Sequence, residues 1–191
     1  MTHIDNLEGI VTEGGIRCHQ QMADKSYQDI SDSEVQEIRS KKKIEETGKF
    51  LHEYVPLFFG LKPPMVATRQ HENEKTIFLR VSLDIFERYS GCVIADGNAA
   101  NAKTSFRPFQ RIDDLEALNV RAIHSVKFAF DKKIYRQKQA ELLVPSFVPL
   151  SEIFEIIVFS QEAKLRVSQV FEKAVTKPSP GVYIRGNLWY Y

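Results

Sequence analysis

The stretch that most constrains the fold is Lys138-Gln139-Ala140-Glu141-Leu142-Leu143-Val144-Pro145. Its apolar run is bounded by proline and reads as a strand. One carboxylate, Glu141, stands at the mouth of that strand, and a basic segment from Lys132 to Lys138 leads into it. An acid entering a buried strand is costly unless it has a partner or a task. The bland alternative is an edge-strand glutamate pointing into water, the usual fate of that residue. These residues alone leave both readings open.

Other elements follow from periodicity and punctuation. Leu7, Ile10 and Val11 form a helical stripe that Asp5 caps with Glu8 as reciprocal partner, and Gly14-Gly15 ends it. Residues 17–30 read as a loop. Ser31, with Glu34, caps a second helix that turns Val35 and Ile38 inward and pairs Glu37 with Lys41. Arg39 falls on this helix, followed by Lys41-Lys42-Lys43. Such a run is either a solvated face or a basic edge that meets phosphates. Residues 54–59 make a strand in which Pro56 predicts an edge position or a bulge. Strands are also expected at 76–81, 92–95, 154–160 and 182–185, and Ser82 is expected to cap a helix running to about Tyr89.

Residues 96–112 read as a long surface loop carrying Lys103, Arg107 and Arg111 among Phe106 and Phe109. Cations interleaved with aromatics suit single-stranded nucleic acid, because rings stack on bases while cations meet phosphates. The competing reading is a loop pinned by two buried phenylalanines. Residues 114–123 suggest two short helical turns. The clearest helical period places Ala163, Val167, Val170, Phe171 and Ala174 on one face. Trp189-Tyr190-Tyr191 is expected to dock. The sum is a single α+β domain over residues 1–191, with strands predominating in the second half.

Composition excludes more than it selects. A net charge of +1 gives no general pull on nucleic acid or membrane, so such contacts must be local. Two cysteines form no metal or disulfide pattern, and the five histidines lack metal-ligand spacing, so no metal is expected. With no spanning-length apolar run and no signal layout, the expected location is the cytoplasm, away from membranes. Neither common phosphate-binding glycine loop is present.

Four ordered segments resemble the DarT family of DNA ADP-ribosyltransferase toxins: 2–7 (Thr-His-Ile-Asp-Asn-Leu), 36–39 (Gln-Glu-Ile-Arg), 52–59 continuing to Pro64-Met65, and 138–144. The resemblance covers essentially the whole chain. It implies a fold similar to the poly(ADP-ribose) polymerases and diphtheria-type enzymes: a split, twisted, mainly antiparallel sheet with flanking helices and NAD in the crevice. It also implies transfer of ADP-ribose from NAD to a base, typically thymine, in single-stranded DNA. Glu141 matches the catalytic glutamate and Arg39 the essential arginine. Thr2, Asn6, Gly9 and the region from about Arg17 to Lys41 match NAD-contacting parts, and Phe58 and Met65 positions near the nicotinamide. Residues 119–140 would include the substrate-presenting loop.

Lys62, Lys103, Arg107, Lys132, Lys133 and Arg136, with Arg39, are the expected nucleic-acid contacts. The expected partner besides DNA is a cognate macrodomain antitoxin, and the expected state a monomer. Two departures stand out. Family members usually carry a histidine just before the position of Met1, which implies an upstream start, a trimmed chain or a weaker hold on NAD. Lys62 stands where a proline-arginine-serine run is common, and it lacks the bidentate donation of arginine. The alternatives are an RNA- or protein-directed enzyme of this fold, or a noncatalytic NAD- or nucleic-acid-binding module.

Overall fold

A computed structural model describes residues 1–174 and the backbone strand Tyr183–Arg185. In chain order, β1 (Thr2–His3), α1 (Leu7–Thr12), β2 (Gly15–Arg17), α2 (Ser33–Lys41), β3 (Lys43–Ile44) and β4 (Lys49–Phe50) come first. Then follow β5 (Tyr54–Phe58), α3 (Pro64–Thr68), β6 (Thr76–Val81), α4 (Ile85–Arg88), β7 (Val93–Ala95) and β8 (Phe106–Pro108). The remainder holds α5 (Val120–His124), α6 (Lys132–Gln137), β9 (Glu141–Pro145), β10 (Phe147–Pro149), β11 (Ile153–Ile157), α7 (Gln161–Lys173) and β12 (Tyr183–Arg185). Strands are spread over both halves, not concentrated in the second.

The split sheet is present as two four-stranded sheets, ordered β1-β6-β11-β12 and β5-β9-β7-β8. Only β11 with β12 runs parallel among the described pairings. In the first sheet α1 and α7 place Leu7, Val11, Ala163 and Val167 in one core with Ile77 and Ile156. Val170, Phe171 and Ala174 pack against it, as the helical period requires.

The second sheet is buried on both faces around β9. Leu142 and Val144 join a core with Val55, Ile94 and Val148. Leu143 points the other way, into Tyr54, Val93, Ala95, Ile44 and Leu51. Central strands buried on both sides lose apolar–polar alternation, which explains the continuous run after Glu141. By the two-residue period Glu141 shares the Leu143 face. Pro56 sits exposed on β5, an edge strand, where its missing donor is tolerated.

Several local expectations shift. Asp32, not Ser31, caps α2: its carboxylate accepts from the Glu34 and Val35 amides at 2.9 and 3.2 Å. The Ser31 hydroxyl is engaged by Asp29 at 2.6 Å. A charged acceptor is the stronger partner for a helix N-terminus. α1 starts at Leu7 after a 3-10 turn, and the Asp5 carboxylate reaches Arg166 instead of capping. Ser82 makes only a local turn, and the helix there is confined to Ile85–Arg88. The 96–112 segment contains β8, paired with β7. Trp189-Tyr190-Tyr191 lies outside the described residues.

The ribbon of β2 with β10 ties the two sheets together. Ser146, with φ +62°, makes the sharp turn from β9 into β10. Its amide donates to the Glu53 carbonyl and its carbonyl accepts from the Cys18 amide, both at 2.8 Å. Gly15 on β2 has no room for a side chain. A Cβ there would overlap the Val148 carbonyl oxygen and lie 2.8 Å from Pro149 Cα. Gly15→Ala should therefore destabilise the protein by about 1–3 kcal/mol, the usual cost of overpacking against backbone. Urea unfolding measures this, with a reduced midpoint expected.

Candidate active site

α2 turns Arg39, not Ile38, inward. Ile38 is half exposed, whereas Arg39 is only 7% exposed. Arg39 Nη1 donates to Glu141 Oε1 at 3.2 Å and Oε2 at 3.1 Å. Glu141, 2% exposed, also accepts from the Ala99 backbone amide at 2.9 Å. The bland reading of Glu141 as an edge residue in water is thus overturned. Arg39 Nη2 is buried with no hydrogen-bond partner among the described residues. A buried, unsatisfied donor is rare and costly, so this one is a mark of function.

Arg39 lines a cavity of about 560 Å³, within the range of small-molecule sites. Thr2, Asn6, Gly9 and Arg17 line it from β1, the turn before α1, α1 itself and β2. Gln36 contributes from α2, Leu51 and His52 from the turn before β5, and Tyr54 and Pro56 from β5. A Cβ on Gly9 would meet nothing within 4 Å, so that helix surface is open. Asn6 is a latch: its Oδ1 accepts from the Gln28 amide at 2.7 Å and its Nδ2 donates to the Gln28 carbonyl at 2.8 Å. That pins the 26–30 segment at the cavity wall. Arg17 is forked onto Glu13, whose pKa is held below the usual carboxylate range by Lys25 and then Arg17.

His52 sits beside this chemistry. Its ring stacks on His19 with centroids 4.0 Å apart, and its Nε2 lies 2.9 Å from Gln36 Oε1. Burial foremost, then His19 and Arg39, lowers its pKa to about 4. A neutral imidazole avoids adding another cation next to Arg39.

The remaining expected contacts are dispersed. Phe58 pairs in register directly with Glu141 across β5 and β9. Its side chain lines a second cavity of about 640 Å³, together with Lys62 and residues of β6 and α5. Met65, on α3, lines neither cavity. Lys103, Arg107, Lys132 and Lys133 are exposed. Phe109 is buried against Phe86, centroids 4.0 Å apart, and Phe106 packs under Lys42. The pinned-loop reading therefore fits this segment better than a base-stacking platform. Arg136 is not displayed to solvent phosphates: it forks onto Asp96 at 2.6 and 3.1 Å. Among the described residues no group of three or more His, Cys, Asp or Glu could hold a metal, and no helix is long and apolar enough to cross a membrane.

The sequence reading placed Gln36 and His52 in motif segments and His19 in an NAD-contacting region but gave none of the three a role of its own, and it did not name Ala99. One signal existed for Gln36: it lies three residues from Arg39 and so shares its helix face. His19 and Ala99 come from irregular segments that no local pattern aims at Glu141.

A sequence model of the family described as "ssDNA thymidine ADP-ribosyltransferase, DarT" matches residues 1–191. The chain belongs to the DarT family. A DNA ADP-ribosyl transferase from Thermus sp. (strain 2.9) is 30% identical over 198 residues, spanning 100% of this chain and 94% of its own. One from Thermus aquaticus is 29% identical, spanning 100% of this chain and 87% of its own. The structure titled Thermus sp. 2.9 DarT in complex with ADP-ribosylated ssDNA matches with TM-score 0.89 at 28% identity, covering 100% of this chain and 93% of that one. The same DarT in complex with NAD+ matches with TM-score 0.84, also at 28% identity, covering 100% and 94%. As a DarT member, the protein is an NAD-dependent enzyme that ADP-ribosylates thymidine in single-stranded DNA.

The His52 shift has a measurable sign. The unfolded ring takes up a proton near pH 6.5, while the folded ring resists until about 4. Its contribution to stability is therefore whole above 6.5 and declines as pH falls toward 4. Melting temperatures between pH 7.5 and 4.5 should fall less steeply for His52→Asn than for the wild-type chain.

Proposed function

We propose that the first cavity holds NAD and that Glu141 and Arg39 carry out transfer to the thymine ring. The carrying observation is the buried pair at the cavity, with Arg39 Nη2 left without a partner. Thr2, Asn6, Gly9 and Arg17 are the proposed NAD contacts; Phe58, which lines the second cavity, and Met65, which lines neither, are left out of this set. Arg39 lines the cavity and Glu141 stands next to it, so the ribose meets the carboxylate where Arg39 now contacts it.

The chemistry suits these groups. Breaking the bond from nicotinamide to ribose builds positive, oxocarbenium-like charge on the sugar, as in glycoside hydrolysis. Glu141 grips a ribose hydroxyl and faces that charge, stabilising the transition state more than the ground state. Nicotinamide leaves with the bonding pair. A ring nitrogen of thymine then bonds to the ribose carbon and gives up its proton to Glu141 or water. A guanidinium stays protonated, so Arg39 serves as donor rather than base. Its free Nη2 can hold the thymine edge and stabilise negative charge as the ring proton departs.

The proposed working unit is one domain over residues 1–191, a monomer in the cytoplasm. Lys62, Lys103, Arg107, Lys132 and Lys133 are candidate phosphate contacts. A macrodomain antitoxin, a partner able to remove ADP-ribose from DNA, is the cognate regulator that family membership suggests.

Incubation with NAD and separate panels of single-stranded DNA, RNA and protein, read by mass spectrometry, tests this reading. Adducts on thymidine in DNA alone are expected. Glu141→Gln should lower the rate by about 10²–10³, the usual loss on removing one preorganised electrostatic group. Arg39→Lys keeps the charge but not the fork, and activity equal to wild type in it would sink the geometric role given to Arg39.

A further inference from the structure

Arg136 belongs by sequence to a basic run, yet its guanidinium faces inward. Nη1 and Nη2 fork onto the two Asp96 oxygens at 2.6 and 3.1 Å, and Nη1 reaches Thr104 Oγ1 at 3.2 Å. Its backbone carbonyl accepts from the Asn98 amide at 3.0 Å. The side chain lies against Gly97, where an added Cβ would come within 2.9 Å of that same carbonyl oxygen. Only glycine lets α6 approach the turn so closely. Asp96 Oδ1 also accepts from the Ser105 amide at 2.9 Å, closing the base of the 96–105 turn. Thr104 Oγ1 donates to the Asn98 carbonyl at 2.6 Å, which braces its middle.

The product of this bracing is one backbone amide. Ala99 N–H donates to Glu141 Oε1 at 2.9 Å. Arg39 Nη1 touches both carboxylate oxygens almost equally, at 3.2 and 3.1 Å, so it does little to fix the rotation of the group. The last torsion of a glutamate is broad, so no rotamer preference fixes that rotation either. The Ala99 amide does. It commits Oε1 and leaves Oε2 as the oxygen with more accepting capacity.

We propose that Arg136, through Asp96, is a positioning residue for Glu141. It holds the 96–105 turn in register so that the Ala99 amide fixes the rotation of the carboxylate and leaves one oxygen turned toward the ribose. The fork matters because a planar guanidinium fixes both distance and angle to a carboxylate, whereas an ammonium is a point charge. The inference rests on Glu141 acting on the ribose as proposed above.

Arg136→Lys and Asp96→Asn test it, with Thr104→Val as a milder lesion should either fold poorly. Two readouts are needed: steady-state kinetics of DNA modification, and amide hydrogen exchange at Ala99 with Leu143 as core reference. The expected result is a kcat lower by about 10–10²-fold, with KM for NAD held within about twofold, as small misplacements of catalytic groups produce. Ala99 exchange should quicken while Leu143 exchange stays slow. Combining Arg136→Lys with Asp96→Asn should cost little more than either alone, because the two act as one unit. Unchanged kcat in the single variants, or kcat, KM and Leu143 protection failing together, would overturn the positioning role. Wild-type protein that modified no DNA would remove the catalytic reading itself, a different outcome from active wild type with indifferent variants.

Discussion

A buried guanidinium facing a buried carboxylate is the contact around which the second sheet is arranged. Taking both charges out of water costs several kcal/mol per ion, and only close approach with further hydrogen bonds offsets it. Arg39 and Glu141 meet at 3.1 Å, and Ala99 adds a neutral donor. Lys42, the residue that ends α2, brings a second cation close by. Its pKa is lowered by burial first and then by Arg39, while Glu141 opposes the shift. Lys42 is accommodated because its ammonium donates to the Ala99 and Asn101 carbonyls, each at 2.7 Å. The 96–105 turn thus serves both signs, offering an amide to the acid and carbonyls to the lysine.

The two sheets divide the work. β1-β6-β11-β12, covered by α1 and α7, supplies an apolar scaffold whose surface at Thr2 and Gly9 forms one wall of the cavity. β5-β9-β7-β8 carries Glu141 at the head of its inner strand β9, where Arg39 of α2 meets it. The β2–β10 ribbon fixes the distance between them through backbone hydrogen bonds at Ser146 and Gly14. Rigid elements on both sides explain how a buried donor such as Arg39 Nη2 can be kept waiting: the packed wall prevents it from relaxing toward water.

The strand at 141–145, the edge placement forced by Pro56 and the α7 stripe were legible in local pattern, because each reflects a single element choosing its buried face. α2 was misread for the same reason. Its apolar residues, Val35 and Ile38, suggested the inward face, but the chain turns Arg39 inward because a carboxylate 102 residues away stands ready to receive it. Arg107 among phenylalanines looked like a nucleic-acid surface. Phe109 is instead anchored by Phe86, a contact no local pattern announces. Arg136 looked like a phosphate contact until Asp96, forty residues earlier, claimed its fork.

The sequence by itself determined the element types over most of the chain, the presence of one acid at the head of a central strand, and an ordered motif set specific to one family. Only the tertiary structure decided that Glu141 is buried, that Arg39 rather than a nearer cation answers it, and that the Ala99 amide meets the same carboxylate. The reason is physical: periodicity reports which face of one element is apolar, while pairing of buried charges depends on which distant segments the sheet register brings together.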